Sequence, residues 1–389
     1  MNTQELFFKL LSFKSITPKD DGAFDFIKAY LDDFEVMEVN VEQTKNLFLY
    51  KRFGEGAHLC FAGHIDVVPP GESWESDPFT PMLKEGVVYA RGAQDMKSGV
   101  CAFLKACKEA KNFNGTLSLL LTSDEEGDAK HGTIEVLRVL QKQNFLPGFA
   151  IVAEPTCEKV FGDAIKVGRR GSINGVIEVF GKQGHAAYPE KSINPIHVIS
   201  PHLAKLCGHF LDEGDEAFAP SQMVITDIRS GMEVSNVTPG YLKLMFNVRN
   251  STKTKVEDIE NYVKSVLNGL DYKLHLSQSS KPFLTCKDSL VVKTLSQSIF
   301  QVSQTTPKLS TAGGTSDARF FGEFGVATVE FGVVNDTIHA PNECCPIKEV
   351  ESLVKVFKDV IRALGKLDLQ EVKEPKVRGL CAEQNPVLA

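Results

Sequence analysis

The amino-acid sequence predicts an α/β protein whose main domain is interrupted by a smaller α+β insert. The chain of 389 residues exceeds the usual size of one domain. Up to about residue 170, short apolar runs alternate with longer helical patterns, as in a sheet covered by helices. From about Ile173 the pattern changes to strands with alternating polar and apolar residues, and the first pattern returns after Pro282.

The elements of the first part follow from the apolar periodicity. The chain opens on MNTQELFFKLLSFKSITPKDD, in which charged residues alternate with Phe and Leu, as is typical of an amphipathic helix. Strands are expected at 58–62, 116–121 and 149–153, and helices at 98–110 and 132–143. Functional groups of such sheets gather at strand ends, so the residues after these strands are the first candidates for a site.

The insert is predicted from two strand–helix–strand units. Its expected strands are 175–180, 222–228 and 241–248, and its expected helices are 194–213 and 254–268. A strand at 326–331 and a helix at 348–364 complete the main domain. The predicted boundaries are 1–172 and 286–365 for the main domain, 173–285 for the insert and 366–389 for a loosely ordered C-terminal tail.

Composition and charge argue against several classes of function. The formal net charge of -7, from 43 Lys+Arg and 50 Asp+Glu, disfavours nucleic acid or an anionic membrane as the main partner. No segment reaches the roughly 20 apolar residues that a membrane-spanning helix needs. Nine Cys at irregular spacing, without a CxxC pair or a leader-like start, indicate reduced thiols. We therefore expect a cytoplasmic protein.

Two motifs place His or Asp at the ends of predicted elements. His64 and Asp66 close an apolar strand in GHID, and residues two apart on a strand share a face, so Asp66 could hold a metal-bound imidazole in one tautomer. A solvated turn explains these residues equally well. Asp95, in RGAQDMKSG, precedes a helix, and taken alone it is better explained as a residue favoured by the helix dipole.

Three further motifs add carboxylates and a second imidazole. TSDEEG places Asp124, Glu125 and Glu126 after an apolar strand. At a turn, neighbouring side chains can approach one cavity, so that one Glu binds a metal and the other moves a proton, although a solvated acidic turn is the commoner explanation. Glu154 also follows an apolar strand, and His339 lies beyond a strand-like segment, where a single His is more often structural.

Taken together, these motifs supply a ligand set for metal ions. Two imidazoles and three carboxylates suit two zinc ions with one bridging carboxylate, and two such ions can generate a hydroxide. The candidate ligands are His64, Asp95, Glu126, Glu154 and His339.

The motifs GHIDVVPPG, RGAQDMKSG, TSDEEG, AEPT and HAPNE, in this order, resemble those of the M20 family of zinc amidohydrolases and exopeptidases. The resemblance extends to about residue 365. It implies a zinc-exopeptidase-like catalytic domain with a mixed central sheet, interrupted by a ferredoxin-like lid and dimerisation domain. It also implies two Zn²⁺ per subunit, with Co²⁺ as an alternative ion in the second site.

The resemblance also assigns roles to the residues of these motifs. Asp95 would bridge the ions, while the other four ligands serve one zinc site or the other. Glu125 would be the general base and Asp66 the partner of His64. His185, in GKQGHAAYP, would donate to the oxyanion, and in the family this His reaches into the partner's active site. Asp124 is left without a role.

Within the family, the segments GRRGS and GGTSDARF match members that remove the succinyl group of N-succinyl-LL-2,6-diaminopimelate, a substrate with three carboxylates. Arginine forks suit carboxylates, and N–H and hydroxyl groups add donors. The residues implied to contact substrate are Arg169, Tyr188, Asn236, Arg249, Gly314, Thr315, Ser316 and Asn335. Arg170 is equally compatible with a charged turn and is left without a role.

Four positions depart from the family pattern and leave the fine substrate preference open: Gln94, Ser98, Val248 and Ala318. The alternative activity is that of another M20 deacylase or exopeptidase, similar to acetylornithine deacetylase or an aminoacylase. A binding protein without catalysis is disfavoured because it would not need Glu125. The expected partners are a small N-acyl amino-acid substrate and a second copy of the chain, joined through the lid domain.

Overall fold

The structure is a computed structural model and describes residues 1–366. Residues 367–389, and with them nearly all of the predicted tail, lie outside the described part. In chain order, the helices are α1 (Thr3–Leu11), α2 (Ala23–Tyr30), α3 (Lys97–Lys108), α4 (Thr133–Lys142), α5 (Pro195–Leu206), α6 (Val256–Val266), α7 (Leu290–Ser303), α8 (Ala318–Glu323) and α9 (Ile347–Leu364).

The strands of the described part, again in chain order, are β1 (Glu35–Glu38), β2 (Asn46–Arg52), β3 (Ala57–His64), β4 (Met82–Lys84), β5 (Val87–Tyr89), β6 (Gly115–Thr122), β7 (Phe149–Val152), β8 (Ala164–Lys166), β9 (Gly168–Arg169), β10 (Ser172–Phe180), β11 (Gly184–His185), β12 (Met223–Ser230), β13 (Val237–Thr238), β14 (Tyr241–Val248), β15 (Tyr272–Ser280), β16 (Phe283–Leu284), β17 (Lys308–Ser310), β18 (Ala327–Glu330) and β19 (Cys344–Pro346). The elements predicted for the first part of the chain occur as α1, β3, α3, β6, α4 and β7.

The chain divides into two compact units. Among the described residues, the first comprises Met1–Gly168, Leu284–Ser310 and 316–366, and the second comprises Arg169–Phe283 and Thr311–Thr315. The first is α/β and the second is α+β, which confirms the predicted fold class.

A mixed eight-stranded sheet forms the centre of the first unit, with the strand order β1-β2-β6-β3-β7-β18-β8-β17. Its middle strands β6, β3, β7 and β18 run parallel to one another. They are apolar and almost wholly buried because helices α3, α4 and α7 pack against them. The carboxyl ends of these four strands therefore lie at one edge of the sheet.

The first and last helices of the described residues illustrate the apolar periodicity. In α9 the buried residues recur at helical spacing, including Val350, Leu353, Phe357 and Val360, and α9 packs against α3 and α7. The predicted amphipathic N-terminal helix is α1, which begins with a capping box in which Asn2 and Glu5 exchange hydrogen bonds.

The second unit is built on an antiparallel sheet with the order β12-β14-β10-β15. Side chains of β14 alternate between buried and more exposed, and helices α5 and α6 pack over the apolar side of the sheet. The helix predicted at 194–213 is too long. It ends at Leu206 because Cys207 is extended and Gly208 has φ of +70°, after which Phe210 pairs with Gln222.

A helix can cross a membrane only if it is long and apolar enough for the hydrocarbon layer. Among residues 1–366, no helix is both long and apolar enough to span one.

Candidate metal centre and active site

The carboxyl ends of the parallel strands carry most of the predicted metal residues. His64 is the last residue of β3, Glu126 follows β6 and Glu154 follows β7. His339 lies in the loop after β18. Since the carboxyl ends of parallel strands meet at one edge of a sheet, four predicted ligands from distant parts of the sequence converge there.

Asp95, which directly precedes Met96 and helix α3, lies between the two imidazole rings. Its Oδ1 is 3.1 Å from Nε2 of His64, and its Oδ2 is 3.4 Å from Nε2 of His339. Nε2 of His339 is also 3.0 Å from Oε1 of Glu126, and Nε2 of His64 is 3.8 Å from Oε1 of Glu154. The carboxylate predicted to bridge therefore approaches one imidazole with each of its oxygens.

The donor set fits metal cations. Ligand atoms of His64, Asp95 and Glu126 lie within 4.8 Å of one another. Oε1 of Glu154 is buried without a hydrogen-bond partner among the described residues, and such an oxygen is costly unless a cation or a proton satisfies it. Burial, together with the charges of Asp95 and Glu125, raises the pKa of Glu154 well above its ordinary value. A bound cation would offset both the burial and the repulsion.

The main chain of Asp66 sets the tautomer of His64. Nδ1 of His64 donates to the carbonyl oxygen of Asp66 at 2.8 Å, whereas the Oδ1 atom of Asp66 is 3.6 Å away. A carbonyl oxygen can only accept, so Nδ1 carries a proton, and Nε2 is the nitrogen left to bind a cation or a second proton on the side of Asp95. The hydrogen bond to His64 is therefore made by the carbonyl oxygen of Asp66, and not by the carboxylate that the sequence suggested.

The carboxylate of Asp66 holds the turn that carries the two glutamates. It accepts the main-chain N–H of Glu125 at 3.4 Å and that of Glu126 at 3.1 Å. Because Asp66 is fully buried, burial raises its pKa to about 6, although the charge of His64 and these N–H groups oppose the shift. Asp66 therefore connects the β3 motif to the β6 motif.

Glu125 has the environment of a proton acceptor. Its Oε2 lies 3.9 Å from Nε2 of His64, and its side chain is 15% exposed. Burial raises the pKa of Glu125 well above its ordinary value; His64 opposes this shift, while Asp317 and Asp95 add to it. A carboxylate with a raised pKa takes up a proton more readily near neutral pH.

Burial lowers the pKa of both His rings, and the neighbouring carboxylates raise it. Burial lowers the pKa of His64, but Asp95 and the neighbouring carboxylates raise it more, so that it lies well above its ordinary value. Hydrogen bonds to Asp95 and Glu126 raise the pKa of His339 to about 10. Without a bound cation, protons on the rings would offset the carboxylate charge that a metal ion otherwise neutralises.

Glu343, the last residue of the HAPNE motif, supports the Asp95 loop, a role that the motif alone does not predict. Its Oε2 accepts from Nη1 of Arg91 at 2.7 Å and from the N–H of Gly92 at 2.9 Å. Its Oε1 accepts the N–H groups of Gln94 at 2.7 Å and Asp95 at 3.0 Å. One buried carboxylate thereby holds the main chain at Asp95, the residue predicted to bridge.

In the second unit, the pairing of β11 with β13 brings two predicted site residues together. The N–H of Ala186 donates to the carbonyl oxygen of Asn236 at 2.9 Å, beside His185. The N–H of Ala187 donates to Nδ1 of His185 at 3.0 Å. Because an amide N–H can only donate, Nδ1 is unprotonated and Nε2 of His185 carries the ring proton. This is the tautomer that a donor to an oxyanion needs.

In the second unit, Arg169 of the GRRGS segment lies against the start of the GGTSDARF segment. Nη1 of Arg169 donates to the carbonyl oxygen of Ala312 at 3.0 Å. Gly313 has φ of +105°, and a Cβ there would lie 2.6 Å from that nitrogen, so glycine is required. The other predicted substrate residues of this unit are exposed: Tyr188, Asn236, Arg249, Gly314 and Thr315.

Two predicted substrate residues belong to the first unit. Asn335 is exposed, and its Nδ2 donates to the carbonyl oxygen of Pro155 at 3.2 Å, next to Glu154. Ser316 is 2% exposed, and its hydroxyl donates to Oε1 of Glu330 at 2.8 Å. Asn335 therefore lies beside the predicted metal ligand Glu154, whereas the Ser316 hydroxyl is directed into a buried contact.

Comparison with known sequences finds close relatives. Peptidase family M20/M25/M40 matches residues 60–363. A protein from a Nitratiruptor species named succinyl-diaminopimelate desuccinylase is 65% identical over 363 residues, which cover 93% of this chain and 100% of the relative. A protein of the same name from Nautilia profundicola is 64% identical over 361 residues, covering 93% of this chain and 99% of the relative.

Solved structures share the fold at low sequence identity. The M20 family metallo-carboxypeptidase Sso-CP2 from Sulfolobus solfataricus has a TM-score of 0.77 at 17% identity, covering 94% of this chain and 100% of its own. Aminopeptidase PepT from Bacillus cereus has a TM-score of 0.77 at 20% identity with the same coverage. The YXEP protein of Bacillus subtilis, described as a dinuclear metal binding peptidase, has a TM-score of 0.67 at 13% identity, covering 94% and 100%.

Proposed function

The chain belongs to peptidase family M20/M25/M40, and from this premise we propose that it hydrolyses N-succinyl-LL-2,6-diaminopimelate to succinate and LL-2,6-diaminopimelate, in lysine and peptidoglycan precursor biosynthesis. Two relatives named for this activity match nearly their whole length at 65% and 64% identity. The observation that carries the proposal is the position of Asp95 between two imidazoles, with Glu125 beside one of them.

We propose two Zn²⁺ as the cofactors, with Co²⁺ as an alternative in the second site. Asp95 would bridge them, His64 and Glu154 would hold one ion, and Glu126 and His339 the other. The pairing is supported by the distances of 3.8 Å between the side chains of His64 and Glu154 and 3.0 Å between those of His339 and Glu126. When bound, the ions lower the pKa of a water molecule and polarise the amide carbonyl.

The side chains of the protein account for the proton movements. Glu125 accepts a proton from the attacking water, whose oxygen bonds to the amide carbon. Nε2 of His185 donates a hydrogen bond to the oxyanion that forms. As the C–N bond breaks, Glu125 passes the proton to the departing nitrogen, which leaves as an amine while the acyl group leaves as succinate. Arg169 and Arg249 would pair with substrate carboxylates.

The assembly and the location of the protein are part of the proposal. We propose a cytoplasmic homodimer joined through the second unit, without a nucleic-acid or membrane partner. The net charge of -7 supports the absence of polyanionic partners. Light scattering should give twice the mass of the chain, and a monomer with full activity would contradict the dimer.

The alternative activity is that of another family member, such as a deacetylase of acetylornithine or an exopeptidase. The solved structures with this fold include an aminopeptidase and a carboxypeptidase. Turnover of N-succinyl-diaminopimelate, N-acetylornithine and a dipeptide should be compared on zinc-loaded protein. A preference for either of the latter two would replace the proposed substrate.

The variant Glu125→Gln tests the mechanism. It removes the proton acceptor but no proposed ligand, so zinc content should stay at two per chain while kcat falls by about 10²- to 10⁴-fold. Zinc content is measured by atomic absorption and kcat by succinate release, with Glu55→Gln on an exposed loop as the control. Unchanged kcat would mean that the base is misassigned, and activity indifferent to chelators would refute the two-metal site.

A further inference from the structure

Gln94 differs from the small residue that the family often has at this position, and its side chain makes a specific set of contacts. It is 1% exposed. Its Oε1 accepts the main-chain N–H of Thr337 at 2.8 Å and that of Asp336 at 3.4 Å, and its Nε2 donates to Oδ1 of Asp336. Both ends of the buried amide are therefore used to hold one segment, the two residues Asp336 and Thr337.

This segment lies just before His339, and Gln94 also contacts the chain after it. The main-chain N–H of Gln94 donates to Oε1 of Glu343 at 2.7 Å. Gln94 thus holds the His339 loop on both sides of the imidazole. Since Gln94 precedes Asp95 in the chain, these contacts connect the His339 loop to the bridging carboxylate.

Burial alone does not hold His339 in place. Its side chain is 48% exposed, and its φ of +60° lies in the left-handed region. The carbonyl oxygen of His339 accepts a hydrogen bond of 3.3 Å from Nη2 of Arg91. A small residue at position 94 would keep the main-chain bond to Glu343 but lose every bond of the side chain, and the loop would sample more conformations.

We propose that Gln94 is a positioning residue that holds His339 beside Asp95 and so strengthens the binding of the ion that His339 ligates. The inference rests on the proposed two-metal function. It follows from preorganisation, because a ligand already held in place loses less conformational freedom when the ion binds.

The first experiment is a stepwise zinc titration of chelator-treated protein against a competing chromophoric chelator. Gln94→Met keeps the buried volume but cannot make the side-chain hydrogen bonds. One ion should bind as in the unsubstituted protein and the other about tenfold to a hundredfold more weakly. Excess zinc should then restore kcat, with KM unchanged. Equal affinities of both proteins for both ions would overturn the proposal.

A matched control and an exchange variant separate positioning from general loss of structure. Asn250→Ala removes another buried amide, whose Nδ2 donates to two main-chain carbonyls in the second unit, and it should leave both zinc affinities unchanged. The double variant Gln94→Glu with Asp336→Asn reverses donor and acceptor at constant net charge. Gln94→Met binds one of the two ions more weakly, and the double variant should bind that ion at least threefold more tightly than Gln94→Met does. An equal affinity in the two variants would contradict the role of the Asp336 contact.

A second measurement does not depend on metal. Hydrogen exchange of the Thr337 amide in chelator-treated protein should be about tenfold faster in Gln94→Met and unchanged in Asn250→Ala. If the unsubstituted protein bound no zinc, the proposed function would fail, while exchange would still decide whether Gln94 holds the loop. Unchanged exchange would overturn the inference.

Discussion

Replacing Glu343 by Gln removes one charge from a buried site without changing its shape. Each carboxylate oxygen of Glu343 accepts two N–H donors, and four donors in all surround it, including Nη1 of Arg91. The substituted side chain would offer one acceptor oxygen and an NH₂ group, so two of the four donors would face another donor. Arg91, which is 1% exposed, would also lose its counter-charge.

The expected loss of stability is large for a single substitution. Each buried donor left unsatisfied costs about 1–3 kcal/mol, and removing one partner of a buried ion pair costs about 3–5 kcal/mol. Because these two costs describe overlapping interactions of the same group, they do not add. We expect Glu343→Gln to lower the free energy of unfolding by about 3–5 kcal/mol, out of about 5–15 kcal/mol for a typical domain.

The assay is urea denaturation in excess chelator, followed by the fluorescence of Trp74. This residue is the only Trp of the chain; its Nε1 donates to the carbonyl oxygen of Pro70, and the Arg91 guanidinium lies 5.2 Å from its ring. The midpoint should fall with an unchanged slope. Glu109→Gln, in an exposed pair with Lys358, serves as the control and should cost less than about 1 kcal/mol. If Glu343→Gln lowered the free energy of unfolding by no more than Glu109→Gln does, the reasoning would be refuted.

Two further predictions concern the sheet. Burial, assisted by the charge of Arg52, lowers the pKa of His58 from 6.5 to about 4. The unfolded chain therefore binds a proton below pH 6.5, whereas the folded chain binds it only near pH 4. Between pH 7 and pH 4 the protein should therefore lose about 2–3 kcal/mol more stability than His58→Gln does, as measured by urea denaturation at each pH; parallel losses would contradict this. Gly99→Ala would place its Cβ 2.2 Å from the carbonyl oxygen of Ala153, and this clash should cost about 1–3 kcal/mol of stability, seen as a lower melting temperature. In the control Gly148→Ala the nearest atom is 3.7 Å from the new Cβ, so the melting temperature should change little. Equal melting temperatures of the two variants would show that the backbone moves without cost.

Local sequence was sufficient to predict where the strands end and which residues follow them. The apolar runs before His64, Glu125 and Glu154 are the buried strands β3, β6 and β7. Parallel pairing of buried strands brings their carboxyl ends to one edge, so the convergence of the predicted ligands follows from patterns that can be read a few residues at a time. The end of α5 was missed because Cys207 and Gly208 break a helix that periodicity alone would continue.

By itself, the sequence determined the strand pattern, the α/β class with its insert and the kinds of donor available to a metal. Only the tertiary structure decided which atoms act. The carbonyl oxygen of Asp66 contacts His64, while the carboxylate of Asp66 holds a turn. Glu343 and Gln94 are 249 residues apart, and the hydrogen bond between them connects the His339 loop to the Asp95 loop. The physical reason is that strand periodicity depends on neighbouring residues, whereas a hydrogen bond between distant loops depends on sheet register and on the path of every loop between them.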